Sequence, residues 1–242
     1  EGVTTGSHAY HCDGYQVING VRIKCVAYSR GGHGTINICQ SLMESCNDVL
    51  MQLGADLGKR KFLQYVNEFG FGKKTGIDLP GEATGGVFTN DTMHAVELAT
   101  SSFGQGQTVT MIQMAAAFSS VINGGNYYEP HVVKEVKSEN GAVLESNDNA
   151  LVRRVITENT SKKLRKYLYK TVEEGTALPA KVAGYQIGGK TGTAEKHPTG
   201  RGNYLVSFIG FATKDNPEVM IYVTIDEPHV ADQAHSTYAT QF

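Results

Sequence analysis

The sequence predicts a mixed α/β fold, α+β in arrangement, and three observations carry the prediction. The last third holds three β-rich runs, Tyr185-Gln186-Ile187, Leu205 to Phe211 and Val219 to Ile225, separated by Gly/Pro/Asn turns. The links between successive runs, Lys196 to Asn203 and Thr213 to Glu218, are too short for helical crossovers, so the strands form an antiparallel meander. The first two thirds instead show apolar residues at helical spacing.

Taken in order, Cys12 and Cys25 flank a run from Tyr15 to Ile23 that reads as a hairpin turning at Asn19-Gly20. Gly31-Gly32-His33-Gly34 is a turn, and Thr35 is expected to cap a short helix through Leu42. Ser45-Cys46-Asn47 interrupts that helix, and Val49, Leu50, Leu53 and Leu57 resume it. Phe62, Leu63, Val66 and Phe69 form another helix, closed by Gly70. A turn-rich stretch runs from Gly72 to Gly86. Thr110-Met111-Ile112-Gln113 has the form of a capping box, and Met111, Met114, Ala115, Phe118, Val121 and Ile122 trace the face of the helix that follows. A second hairpin spans Val132 to Glu145, turning at Glu139-Asn140-Gly141. Leu164, Leu168 and Val172 mark a helix that ends before Gly175, and Ala239-Thr240-Gln241-Phe242 reads as the start of one more.

Composition excludes some functions. A net charge of -2 over 242 residues, without a basic run, gives no electrostatic footprint for nucleic acid. Hydrophobic content of 40% against 19% charged describes an ordinary globular chain with a core of its own. No apolar stretch reaches membrane-spanning length. The four cysteines, Cys12, Cys25, Cys39 and Cys46, permit three pairing schemes or none. A zinc site is not expected, because no C-x-x-C or H-x-x-x-H spacing accompanies them. Pairing of Cys46 with Cys25 or Cys39 under oxidation is a further expectation. His33 and His197 are assigned to turns and solvent, and Gln105, between two glycines, to a backbone role.

Two short motifs bear on chemistry. Lys190-Thr191-Gly192 continues a predicted strand, whereas Lys74-Thr75-Gly76 lies in the turn-rich stretch; only the first offers a rigid sheet edge for a ligand. Gly184 to Thr191 also fits the phosphate-binding G-x-x-x-x-G-K-T pattern, but Gly192, Pro198, Gly200 and Gly202 preclude the helix that such a loop must open. Ser45-Cys46-Asn47 and Lys190-Thr191-Gly192 together match two of the three elements, S-x-N and K-T-G, of penicillin-recognising serine acyltransferases. The third, S-x-x-K, occurs nowhere in the 242 residues.

Read with Gly32-His33-Gly34, Phe69 to Gly72, Thr75 to Glu82, Phe103 to Gly106, Gln113 to Ala115, Asn123 to Gly125, Gly189 to Ala194 and Asp226 to Pro228, the chain resembles the transpeptidase domain of class B penicillin-binding proteins. The likeness is to the elongation, division and sporulation types and runs along nearly the whole chain. The resemblance implies an antiparallel sheet flanked by helices, with a helical subdomain holding Ser45 to Asn47, as in serine β-lactamases. It implies that residues 1–242 are one transpeptidase domain, incomplete at both ends, with the nucleophilic serine upstream of Glu1. The implied reaction is acyl transfer from D-Ala-D-Ala stem peptides of peptidoglycan, with β-lactams as donor mimics, on the extracytoplasmic face of a bacterial membrane and alongside other cell-wall synthesis proteins.

By the same resemblance the catalytic residues are Ser45, Asn47 and Lys190. Lys190 supplies positive charge between Ser45 and the substrate carboxylate, Ser45 carries protons toward the leaving amine, and Asn47 bonds the donor's amide. Thr191, Gly192 and Thr193 bind substrate. Thr191 and Thr193 offer hydroxyls to the carboxylate, the Thr193 N–H is an oxyanion donor, and Gly189 and Gly192 admit close approach of a ligand. No cofactor or metal is expected. A non-catalytic β-lactam sensor and a β-lactamase-like hydrolase are the alternatives.

Overall fold

The structure, a computed structural model, describes residues 2–147 and 151–241. In chain order its elements are β1 (Ala9–Cys12), β2 (Tyr15–Ile18), β3 (Val21–Lys24), β4 (Gly34–Asn37), α1 (Ile38–Met43), α2 (Asn47–Leu57), α3 (Lys59–Glu68), α4 (Ala95–Ser102), α5 (Met111–Ile122), β5 (Asn126–Tyr128), β6 (Glu135–Lys137), β7 (Val143–Ser146), β8 (Leu151–Arg154), α6 (Glu158–Glu174), β9 (Ile187–Glu195), β10 (Tyr204–Ala212) and β11 (Val219–Asp226). Short 3-10 segments lie at Tyr28–Arg30, Leu178–Ala180 and Ser236–Gln241. The last of these replaces the helix start expected at 239–242, of which Phe242 lies outside the described residues.

The principal sheet is the antiparallel meander β11-β10-β9, with Lys190 opposite Ile209 and Thr193 opposite Val206. Side chains alternate across a strand. On one face, Ile209 and Phe211 pack with Phe118 and Ile122 of α5 and Leu168 of α6. At the alternate position, Phe208 packs with Val172, Ala177, Ala180 and Ala239. The Phe208 ring lies over Gly189, where a Cβ would come within 2.5 Å of its Cζ. The sheet's own packing therefore requires glycine at 189.

Two hairpins, β2-β3 and β6-β7, match the sequence reading. Several other details differ. The residues after Thr35 first form a strand, β4, paired with β1, and α1 is capped by Asn37 rather than Thr35. Asn37 stands at the residue before the helix and caps it reciprocally. Its Oδ1 accepts from Gln40 N at 3.0 Å while Gln40 Oε1 accepts from Asn37 N at 3.0 Å. Helix α4 is an addition to the elements expected from the sequence. Its eight residues, Ala-Val-Glu-Leu-Ala-Thr-Ser-Ser, carry no apolar stripe. Its start is fixed instead by Glu97, which accepts from His94 N at 3.0 Å.

The stretch from Gly72 to Gly86 lacks helix or strand, and two polar side chains hold it. Glu82 accepts from Thr75 N and Thr75 Oγ1, both at 2.6 Å, so the first K-T-G copy is a loop tie. Gln113 is buried at the start of α5, where it completes the capping box with Thr110. Its Nε2 also donates to Lys73 O at 2.6 Å and to Thr84 O at 2.9 Å. Gln113→Leu would leave both carbonyls unpaired, at about 1–3 kcal/mol each. We expect that variant to lose about 2–4 kcal/mol in urea unfolding; a loss below about 0.5 kcal/mol would show that the loop is held elsewhere.

Candidate active site

Three separate segments meet at one place. The first is the turn between α1 and α2. Ser45 sits in it with φ +50°, a left-handed conformation uncommon for a residue with a Cβ and a place where backbone strain is stored. Cys46 then caps α2, its sulfur accepting from Val49 N at 3.5 Å. Asn47 opens α2 and its Nδ2 donates to Lys24 O at 3.4 Å.

The second segment follows α6. Gly175 packs so close to the end of α1 that a Cβ there would lie 2.7 Å from Met43 O. Thr176 N donates to the same carbonyl at 2.9 Å. This junction sets the Thr176 hydroxyl 3.2 Å from Ser45 Oγ and 3.5 Å from Thr191 Oγ1. The third segment is β9, docked on α6 partly through the Thr171 hydroxyl, which donates to Gly189 O.

Across this junction Lys190 Nζ donates to Ser45 Oγ at 2.5 Å, although 145 positions separate the two residues. Lys190 Nζ also donates to Thr191 O at 3.1 Å and, at the long distance of 3.5 Å, to Thr191 Oγ1, so each of its three N–H groups has a neutral acceptor. Among the described residues no carboxylate lies within ion-pair distance of this ammonium. Burial without a counter-charge penalises the charged form and lowers the Lys190 pKa to about 8.

The structure thus brings Ser45, Lys190 and Thr191 into direct contact. Gly192 and Thr193 continue the same strand, and Asn47 is two residues from Ser45. Thr176 is a member of the cluster that no motif signals. Gln105 belongs there too, against the backbone role read from its flanking glycines: its Nε2 donates to Thr193 O at 3.3 Å. His33 departs from expectation as well. It stands beside Cys12 and Cys25, and its side chain is only 5% exposed. His197 is exposed, as expected of a turn. The alternative phosphate loop fails on geometry, since Lys190 and Thr191 lie mid-strand and a hairpin loop rather than a helix follows. A surface cavity of about 520 Å³ runs along α6 beside Lys166, Lys170 and Lys214 and touches none of these residues.

A helix-covered antiparallel meander whose edge strand presents a lysine to a serine in a helical turn is the arrangement to be matched, and comparison with known proteins identifies its family. The family model of the penicillin binding protein transpeptidase domain matches residues 1–242, and the chain belongs to that family. It is 42% identical over 234 residues to stage V sporulation protein D of Bacillus subtilis, a match covering 95% of this chain and 36% of the relative. It is 31% identical over 201 residues to the probable peptidoglycan D,D-transpeptidase PenA of Neisseria meningitidis, covering 81% of this chain and 32% of that one. The crystal structure of penicillin binding protein 3 from Mycobacterium tuberculosis, complexed with aztreonam, superposes with a TM-score of 0.87 at 26% identity, covering 99% of this chain and 57% of the other. The chain spans about a third of the length of these two curated relatives.

The buried ammonium has a pH signature. The Lys190 pKa is lowered from 10.5 in the unfolded chain to about 8 in the folded one. Between those values the unfolded state holds the extra proton, so stability rises with pH. Below about pH 8 the cost of burying the charge is fully present. Lys190→Met should remove this dependence. Unfolding free energies from urea titrations between pH 7.5 and 9.5 should rise with pH for wild type relative to the variant, by about 2 kcal/mol over that interval. Parallel curves would show that Lys190 is not desolvated.

Proposed function

We propose that this chain carries the proton-relay and carboxylate-binding part of a serine-type peptidoglycan D,D-transpeptidase. The observation that carries the reading is the part-buried, desolvated Lys190 ammonium without a counter-charge, bonded to Ser45 Oγ at 2.5 Å. Family membership and the D,D-transpeptidase relative support the reaction class. The donor is a stem peptide ending in D-Ala-D-Ala. A serine hydroxyl attacks the penultimate carbonyl, an ester forms, and the C–N bond to the terminal D-alanine breaks. Ser45 passes the proton to that leaving amine. An amine on a neighbouring strand then takes the acyl group from the ester and regenerates the hydroxyl.

In this reading Lys190 has two roles. Its charge lowers the cost of moving a proton through Ser45, and the same charge, with the hydroxyls of Thr191 and Thr193, attracts the substrate's terminal carboxylate, which would displace the long contact to Thr191 Oγ1. The Thr193 N–H faces the developing oxyanion, and Gln105 fixes that part of the strand through the Thr193 carbonyl. Asn47 bonds the donor's amide. β-Lactams would occupy the same cleft, as aztreonam is bound by the mycobacterial protein. None of the 242 residues forms S-x-x-K, so the reading places the nucleophile in a segment outside them. The enzyme acts on the extracytoplasmic face of the membrane together with other cell-wall synthesis proteins.

Fluorescent penicillin tests this directly. The 242-residue chain should show no covalent labelling, and joining it to a segment that supplies S-x-x-K should create labelling. In the joined protein Lys190→Ala should slow acylation by on the order of 100-fold or more. Labelling of the 242-residue chain on Ser45 itself would make Ser45 the nucleophile and overturn the relay. An unchanged rate in the Lys190 variant would remove that residue from the chemistry.

A further inference from the structure

Behind the S-x-N turn lies a second cluster of reactive side chains. Cys12 comes from the end of β1, Cys25 from the residue after β3, His33 from the turn before β4, and Cys46 from the cap of α2. Their ligand atoms all lie within 4.8 Å of one another. Cys12, Cys25 and Cys46 are buried, at 0%, 4% and 0% exposure. His33 Nδ1 is 3.5 Å from Cys12 Sγ and 3.7 Å from Cys25 Sγ, and Cys25 Sγ is 3.8 Å from Cys46 Sγ. A tetrahedral ion with metal–sulfur bonds of about 2.3 Å and metal–nitrogen bonds of about 2.0–2.1 Å sets its ligands about 3.8 Å apart for two sulfurs and about 3.6 Å apart for sulfur and nitrogen. The three separations fit that tetrahedron, whereas a disulfide needs about 2.05 Å between sulfurs.

We propose that Cys12, Cys25, His33 and Cys46 form a Cys3His site for a tetrahedral thiophilic cation, zinc by preference, which pins the S-x-N turn from behind. Three thiolates and an imidazole gathered within 4.8 Å, three of their separations already at tetrahedral values, suit zinc rather than calcium or magnesium, which take oxygen ligands. Binding one Zn2+ releases a proton from each of the three thiols. The surroundings resemble those of a metal ligand set. The backbone N–H of Val49 points at Cys46 Sγ and holds it in the cap position of α2, toward the cluster. His33 Nε2 is buried without a hydrogen-bond partner, and Glu44 Oε2 lies 3.9 Å away. With Nδ1 on the metal, Nε2 carries the proton toward that carboxylate, the outer-shell pairing typical of ligating histidines. A cavity of about 480 Å³ lined by His33, Gly32, Met43 and Glu44 offers an entry path. Because Cys46 stands between Ser45 and Asn47, a bound ion would fix the turn that presents Ser45 to Lys190.

The test reads metal and not acyl transfer, so it stands or falls apart from the proposed reaction. The reduced 242-residue chain, stripped with a chelator and titrated with Zn2+, should take up one equivalent and protect three of its four thiols from a thiol reagent. Co2+ in its place should give thiolate-to-cobalt charge-transfer absorption and tetrahedral d–d bands. Cys39 lies outside the cluster, its Sγ 3.9 Å from Met43 Sδ, and Cys39→Ser should bind normally. Cys12→Ser and His33→Ala should each weaken Zn2+ binding by about 100-fold or more, and Glu44→Gln by about 10-fold. If a ligand variant fails to fold, the wild-type chain still decides: a chelator should lower its melting temperature and Zn2+ should restore it. Four thiols that stay reactive in excess Zn2+, or a Co2+ spectrum without thiolate bands, would overturn the proposal. So would a Cys25–Cys46 disulfide forming equally fast with Zn2+ present and absent.

Discussion

The contact between the Lys190 ammonium and the Ser45 hydroxyl is the constraint around which the rest of the molecule is arranged. It joins the edge of the sheet to a turn between two helices, and neither element can hold it alone. The end of α6 closes the gap. Its Thr171 hydroxyl ties β9 by the carbonyl of Gly189, and Thr176 N ties α1 by the carbonyl of Met43. The helix therefore acts as a strut between the two halves of the site. Burial of a lysine would ordinarily be disfavoured, and here its charge is met by neutral acceptors, a serine hydroxyl and a threonine's carbonyl and hydroxyl, with no counter-charge among the described residues.

Much of this was legible in the sequence because the signals are local. The meander follows from the lengths of two links, and the observed strands end at the residues those links predict. The capping box at Thr110 and the stop at Gly70 are likewise local rules. The two K-T-G copies separate for the same reason: one continues a run of strand residues, and the other lies among turns, where Glu82 captures its threonine. Helix α4 escaped because a short helix held by one capping carboxylate lacks an apolar rhythm.

The site was legible in its named motifs and silent about their supports. Thr176 belongs to no motif, and it enters the cluster only because the chain after α6 turns back under Met43. Gln105 looked like a residue between two hinges, yet a long side chain between flexible neighbours can reach a strand 88 positions away. The cysteines and His33 were opaque for a similar reason. Twelve, seven and twelve residues separate successive members in the sequence, so no spacing rule applies, and only the packing of β1, β4 and α2 assembles them.

The absence of a side chain at position 175 sets the width of the whole cleft. With hydrogen there, the last turn of α6 rests directly on the carbonyl that ends α1. Even one methyl would act as a wedge between the backbones of Met43 and Thr171, prising α1 from α6 while every polar group of the cluster kept its identity. The spacing of Ser45 and Thr176 is thus recorded in an atom that is missing, at a residue that makes no polar side-chain contact of its own.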